Sequence, residues 1–426
     1  MEEDIPPYPL YNSTYHLYRV SPLYHGDSPI LQERALQKNA RRLRDVLKGD
    51  NLRGVQVDFA SADSAVANCG PLNECEWTMI GDESSWDDYH QQSQSEESTQ
   101  SVTPDTARGI AVDLYYARHS YNALLLRDPG VTTSPADFTH FPLLLVRMPA
   151  PIREIFLNYL ATTFDAKVSP FKPSPTFLTS TLESHLTHLT DPSSSQTIPD
   201  IIKVLQLQLS FPTLTSTSLK NIDINIARED IPGFRTRGGL ILRESRTQPR
   251  TRSINSNTPF MAALSEYLVA HLALRLGDNK NVYISKVACG AFALSTDGKI
   301  KLYTPPPVTA GGSEDGNVPT DYSAAELAMR DLYASLVREA TRQGPFLNED
   351  AGVEDARTMR RKRPLTEAGA SGNKRLRGRT ADADRAASET AGAPKTGRDS
   401  IPAEPPPPYE LHDPSLVSTA VSNTSR

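Results

Sequence analysis

The segment AFALSTDGKIKLY, residues 291–303, alternates apolar and polar side chains on both sides of a central TDG tripeptide (296–298). Asp-Gly between two alternating runs predicts a β-hairpin in which both turn residues adopt positive φ. Because side chains alternate across a strand, one face of this hairpin is expected to be apolar. The side chains expected on that face are Phe292, Leu294, Ile300 and Leu302.

Two earlier segments have the same two-residue period. KVLQLQLS (203–210) alternates leucine with glutamine, and LKNIDINI (219–226) alternates isoleucine with aspartate or asparagine. This pattern is typical of a sheet with one buried and one hydrated face. It therefore predicts two further strands of an antiparallel sheet.

Apolar residues at helical spacing predict four helices. One is expected to begin at Ser28-Pro29, as N-cap and first turn, and to end at Gly49. The others are expected to begin near Pro151, to run from Thr258-Pro259 to Gly277, and to span residues 323–339. Because strands and helices occur in clusters rather than in βαβ units, we expect an α+β fold with largely antiparallel sheets.

Composition divides the 426 residues into a folded part and polar segments. Hydrophobic residues make up only 38%, against roughly 45–50% in globular chains. We expect one folded domain over residues 8–340, with a loop at 304–321 and a disordered tail at 341–426. Residues 54–107 contain eleven acidic residues and no Lys or Arg, which predicts a flexible acidic insertion at about 61–107.

Charge and cysteine content exclude several classes of protein. A net charge of −6 does not fit a globally basic nucleic-acid binder, although a local basic surface remains compatible with it. Three cysteines cannot form a disulfide framework. The N-terminus MEEDIPPYPL lacks the order of a signal peptide, and the apolar runs are too short to span a bilayer. We expect a soluble, intracellular protein with no membrane association.

Motifs for catalysis are absent from the sequence. It has no GxGxxG after a strand, no GxxxxGK[ST] and no GxSxG. His185 and His188 lie three residues apart, but no Cys or HExxH completes a metal site, so a structural pair is the favoured interpretation. We therefore expect no catalytic residue, no metal, no cofactor and no small-molecule substrate.

Six arginines and a glycine pair occur within residues 235–252. A loop of this composition suits contact with phosphates of DNA or of a nucleosome. A solvated loop, or a salt-bridge partner for the acidic insertion, fits the composition equally well. The candidate phosphate contacts are Arg235, Arg237, Arg243, Arg246, Arg250 and Arg252.

Two basic clusters lie in the predicted tail, with about ten residues between them. This spacing is typical of a bipartite nuclear localisation signal. A non-specific nucleic-acid-binding arm is the alternative, and both interpretations predict a nuclear protein. The basic residues of the two clusters are Arg360, Arg361, Lys362, Arg363, Lys374, Arg375, Arg377 and Arg379.

A PPPY motif, residues 406–409, has the form that WW domains recognise in a polyproline II conformation. Short proline motifs also occur by chance in disordered segments. The motif supports an alternative function, a nuclear or cytoplasmic adaptor that recruits WW-domain proteins.

Four segments together resemble the centromere protein L family, in the order in which that family has them. They begin with LYNSTYHLYRVSPLYHG (10–26) and end with the long segment 260–303, which contains the STDGKIKLY hairpin. Between them lie residues 137–171, with the sequence FDAKVSP, and residues 219–234. The acidic insertion and the basic tail have no counterpart in the family core.

The resemblance implies a non-enzymatic structural subunit of the inner kinetochore, within the constitutive centromere-associated network. Family members form a heterodimer with centromere protein N, and this pair joins other network subunits on the nucleosomes and DNA of centromeric chromatin. The family fold is α+β, with curved antiparallel sheets packed with helices.

The hairpin provides a hypothesis for the partner interface. If its second strand lies at a sheet edge, unpaired backbone groups could pair with a strand of another chain. An ordinary internal strand is the alternative. The candidate interface residues are Lys299, Ile300, Lys301, Leu302 and Tyr303.

Overall fold

The structure is a computed structural model, and all its described residues belong to the first of two units, 1–363 and 364–426. The described residues are 7–52, 69–92, 102–130, 132–190, 197–211, 219–247, 258–276, 282–305 and 323–341. The predicted tail and most of the predicted loop at 304–321 lie outside them.

Along the chain, the described strands and helices alternate irregularly. The strands are β1 (Thr14–Val20), β2 (Leu23–Tyr24), β3 (Leu72–Ile80), β4 (Gly109–Tyr116), β5 (Ser120–Leu126), β6 (Phe138–Thr139), β7 (Leu143–Arg147), β8 (Val168–Pro170), β9 (Val204–Ser210), β10 (Asn221–Ala227), β11 (Tyr283–Ala288), β12 (Phe292–Ser295) and β13 (Lys299–Leu302). The helices are α1 (Glu33–Leu52), α2 (Glu83–Gln92), α3 (Ala150–Phe164), α4 (Pro175–His188), α5 (Ile198–Ile201), α6 (Ile231–Thr247), α7 (Pro259–Leu272) and α8 (Ala324–Ala340).

Eleven strands form one open sheet in the order β10-β9-β11-β12-β13-β1-β7-β5-β4-β3, with β8 also paired to β1. Strands β2 and β6 form a separate two-stranded ribbon. Every neighbouring pair of strands is antiparallel, which confirms the predicted α+β fold with antiparallel sheets. The first strand therefore joins strands from the end of the domain to strands from its beginning.

The predicted hairpin is present as β12 and β13. Phe292 lies opposite Leu302 and Leu294 lies opposite Ile300, and all four side chains are buried. The turn differs from the prediction, because Gly298 alone among its residues has positive φ, at 79°. Ser295 pairs with Lys299, so the loop has three residues and its glycine takes the left-handed position.

Three of the four predicted helices begin where expected, and the first does not. Helix α1 begins at Glu33, because buried Ile30 and Leu31 hold the preceding chain in turns. It then continues through Gly49, since one interior glycine costs only about 1 kcal/mol relative to alanine. Helix α7 ends at Leu272, earlier than expected, where the next residue adopts positive φ.

The acidic segment contains regular structure, so the prediction of a flexible insertion is wrong for residues 72–80 and 83–92. The first of these ranges is β3, paired with β4 along its whole length. The second is α2, whose N-terminus is capped by Asp82, because its carboxylate accepts a 3.0 Å hydrogen bond from the Ser85 N–H. Trp86 then packs against the core. Residues 53–68 and 93–101 lie outside the described residues.

The two halves of the sheet are covered differently. Strands β5 and β7 are buried on both faces, between α1 and α3 on one side and α8 on the other, which explains the continuous apolar run at 142–146. Strands β9 to β13 are covered by helices on one face only. Their other face carries Gln206, Gln208, Lys286, Lys299 and Lys301.

Candidate interaction surfaces

The predicted partner strand, β13, is not at a sheet edge. It pairs with β12 on one side and with β1 on the other, where Ile300 lies opposite Tyr15. Ile300 and Leu302 are only 2% exposed. The edge hypothesis for residues 299–303 is therefore wrong, because both rows of backbone groups are already used within the sheet.

The ends of the described sheet are β10 and β3. Strand β10 pairs with β9 over all seven residues, Asn221–Ala227, and with no other described strand. Its apolar side chains become less buried towards its start, from Ile226, which is buried, to Ile224 and Ile222, which are half-buried. An open strand of this length is a template for pairing with another chain.

Helices α6 and α7 follow β10 in the chain and pack against each other. Several large apolar side chains on this helix pair and on the approach to β10 are exposed to solvent. These side chains are Leu219, Leu240, Tyr267, Val269 and Leu272. We call these side chains and the open edge of β10 the β10 surface, and exposed apolar area of this kind suits a protein contact.

The described part of the arginine-rich segment, residues 235–247, lies in a helix and not in the expected loop, since residues 231–247 form α6. Its two glycines have different surroundings. A Cβ on Gly238 would lie 1.6 Å from the Pro259 carbonyl oxygen, whereas a Cβ on Gly239 would meet no atom within 4 Å. Gly238 is therefore required for the close approach of α6 to α7. From the sequence alone, the glycine pair was predicted to lie in a loop.

The structure places the six candidate arginines in different surroundings. Arg235 donates hydrogen bonds to the Leu186 carbonyl oxygen and the Thr190 hydroxyl, so its guanidinium binds the end of α4. The guanidinium of Arg237 lies 5.0 Å from the centre of the Phe234 ring. Arg243 is exposed on α6. The side chain of Arg246, and all of Arg250 and Arg252, lie outside the described residues.

A buried carboxylate joins α4 to α7. Glu183 is 5% exposed, and its Oε1 accepts a 3.0 Å hydrogen bond from the backbone N–H of Phe260, in the first turn of α7. Burial raises the pKa of Glu183. Thr258, the N-cap residue of α7, makes no side-chain cap hydrogen bond. Glu183, which is distant in sequence, accepts the hydrogen bond of a backbone N–H in the first turn instead.

The two histidines of α4 lie in different environments. His185 is buried, and burial lowers its pKa to about 4. His188 is half-exposed, with its Nε2 3.6 Å from Asp331. His185 and Asp331 both line a cavity of about 220 Å³ between α4 and α8. Among the described residues, no group of three or more His, Cys, Asp or Glu is arranged to hold a metal ion.

Helix α1 has a cationic face that the sequence analysis missed. Its buried stripe is Leu36, Leu43 and Leu47. The exposed cations on the opposite side are Arg34, Lys38, Arg41, Arg42 and Lys48. Within the described part of the chain, none of these five side chains forms a salt bridge. A helical projection of this segment was the signal that could have found the face.

The two motifs of the tail, the basic clusters at 360–379 and PPPY at 406–409, lie outside the described residues. No helix in the described ranges is long and apolar enough to cross a membrane.

The described residues thus form an open antiparallel sheet packed with helices, in which one strand edge and several large apolar side chains are exposed. A family model described as "Centromere protein L" matches residues 9–341. The chain therefore belongs to the centromere protein L family. It is a nuclear component of the centromere and kinetochore, part of a centromere protein complex that serves chromosome segregation. No curated protein matches the chain.

Proposed function

We propose that this chain is a non-enzymatic structural subunit that pairs with a centromere protein N homologue through the β10 surface. The pair then helps to assemble the inner-kinetochore network on centromeric chromatin. The observation that carries the proposal is the open strand edge of β10, and exposed apolar side chains on α6 and α7, the helices that follow β10 in the chain, add to it. A stable interface needs about 800 Å² per partner, so strand and helices must both contribute.

Two of the three cysteines are poor candidates for a catalytic nucleophile. Burial raises the pKa of the Cys75 thiol to about 12 and that of the Cys289 thiol to about 11. A reactive cysteine needs the opposite shift, because the thiolate is the nucleophile.

Co-purification with the partner tests the β10 surface. We expect Leu240→Glu with Val269→Glu to abolish pairing, because two charges would enter an apolar interface. The matched control is Val46→Glu with Leu327→Glu, two side chains of similar exposure elsewhere, at 41% and 43%. Pairing that survives the first double variant, or is lost equally in the control, would exclude this surface.

We further propose that the cationic face of α1 contacts phosphates of centromeric DNA. Its cations are distributed over a 20-residue helix, which is about 30 Å long and comparable with one turn of B-DNA. The predicted phosphate contact of residues 235–252 remains a separate prediction, although Arg235 is already bound to the end of α4.

The salt dependence of DNA binding by the assembled complex tests the α1 proposal. We expect Arg34→Glu, Lys38→Glu and Arg42→Glu together to flatten the log–log slope by about three units, roughly one for each lost phosphate contact. The control reverses Lys286, Lys299 and Lys301 on the open sheet face, and its slope should equal that of the wild type. A flattened slope in the control alone would place the phosphate contact on the sheet.

A further inference from the structure

The other end of the sheet, at β3, has an open edge that pairing at β10 leaves unused. Strand β3 pairs with β4 on one side, and no described strand pairs with its other side. A groove of about 730 Å³ follows this edge and is lined by residues of α1, α2 and β3. We call it the edge groove. The backbone N–H and C=O groups of β3 that no described strand pairs with favour an extended ligand, because an added strand can form hydrogen bonds with successive groups along the edge.

One wall of the edge groove is apolar at its base, and Arg41 and Arg44 of α1 also line the groove. Trp77 and Met79, two residues apart on β3, pack into the same core as Leu36 and Ala40 of α1. All four residues line the groove. An added strand would place every second side chain against this wall, because side chains alternate across a strand. The wall therefore selects apolar residues at alternate positions.

The opposite wall is acidic. Glu76 and Asp113 are register partners in neighbouring strands and line the groove from the other face of the sheet. Burial, and to a smaller extent Glu76, raise the pKa of Asp113 to about 6. Like charges opposite each other destabilise a sheet, and within the described chain no salt bridge reaches either carboxylate. A cation on an incoming strand would relieve this repulsion.

We propose that the edge groove binds an extended segment of a partner protein in which apolar and basic side chains alternate. The segment adds to the sheet as a strand beside β3, with its apolar side chains towards Trp77 and its basic side chains towards Glu76 and Asp113. Charge disfavours a second copy of β3 as the occupant, because it would bring carboxylates against these carboxylates.

Fluorescence anisotropy with the full-length chain tests the proposal, using a labelled octapeptide that alternates valine and lysine. Two further peptides carry N-methyl groups on all valines or on all lysines. In an added strand, successive backbone N–H groups point to opposite sides, so only one of these two sets faces β3. We expect one methylated peptide to lose binding and the other to bind as the parent does. Equal binding of both, or no binding of the parent, would overturn the proposal.

Substitutions in the acidic wall give a second measurement. We expect Glu76→Gln with Asp113→Asn to weaken binding of the valine–lysine peptide roughly tenfold. The matched control removes the same two charges at exposed positions outside the groove, as Asp137→Asn with Glu154→Gln, and should bind as the wild type does. Equal weakening in the control would show only a long-range charge effect and would contradict the proposal. The N-methylated peptides use the wild-type chain, so that test stands even if a variant fails to fold.

Discussion

At the scale of single residues, two side-chain contacts connect α4 with helices that are far from it in the sequence. Glu183 accepts a hydrogen bond from the first turn of α7, and Arg235 of α6 donates to the carbonyl end of α4. These two contacts hold the helix pair α6–α7 on the core, and the β10 surface depends on them. Sequence analysis could not predict these contacts, because each one joins two residues that are distant in sequence and share no local motif.

Replacement of Glu183 should destabilise the protein. Glu183→Leu leaves the Phe260 N–H without its partner, which costs about 1–3 kcal/mol. Glu183→Gln keeps an acceptor oxygen and should cost less. Urea denaturation measures both, with Glu154→Gln as an exposed control. Equal stability of the Leu variant and the wild type would show that the bond contributes nothing.

Protonation of His185 should make the fold acid-sensitive. Its folded pKa of about 4 lies below the ordinary 6.5, so below pH 6.5 the unfolded chain binds the proton more readily. Stability should therefore fall between pH 6.5 and pH 4 by about 3 kcal/mol from this group, and level off below. Denaturation of wild type and His185→Leu across this range measures the difference. Parallel pH profiles would exclude this role.

At the scale of elements, α6 shows why a correct local pattern gave the wrong structure. A glycine pair among arginines favours a loop by propensity. In the structure the helix persists, because Gly238 permits contact with the Pro259 carbonyl at the start of α7. The hairpin β12–β13 is the opposite case. Its partners are close in sequence, so alternation and a turn glycine were sufficient to predict its register.

The two glycines of α6 should respond in opposite directions to the same substitution. Gly238→Ala forces α6 away from α7 and should lower the melting temperature and weaken partner pairing. Gly239→Ala enters open space within a helix and should stabilise by up to about 1 kcal/mol. Thermal unfolding of the two variants checks this prediction. A stabilised Gly238→Ala protein would contradict the described packing of α6 on α7.

At the scale of the whole molecule, the order of the strands in the sheet could not be predicted from local sequence patterns. Alternation identified strands, and the antiparallel α+β class followed from them. It could not show that β13 pairs with β1, from the opposite end of the domain, which places β13 inside the sheet and leaves β10 and β3 at its ends. Strand β3 was also missed, because the acidic composition of the residues around it predicted a flexible segment. The interfaces that we propose lie at these edges, so they were the least predictable part of the account.

Amide hydrogen exchange of the chain, alone and with a centromere protein N homologue, tests the central proposal most directly. If the partner pairs with the open edge, outward-pointing amides of β10 gain a hydrogen bond and their exchange should slow on complex formation, together with amides of α6 and α7. Amides of β13 are paired on both sides in the free chain and should change little. Unchanged exchange in β10 within a complex protected elsewhere would contradict the account.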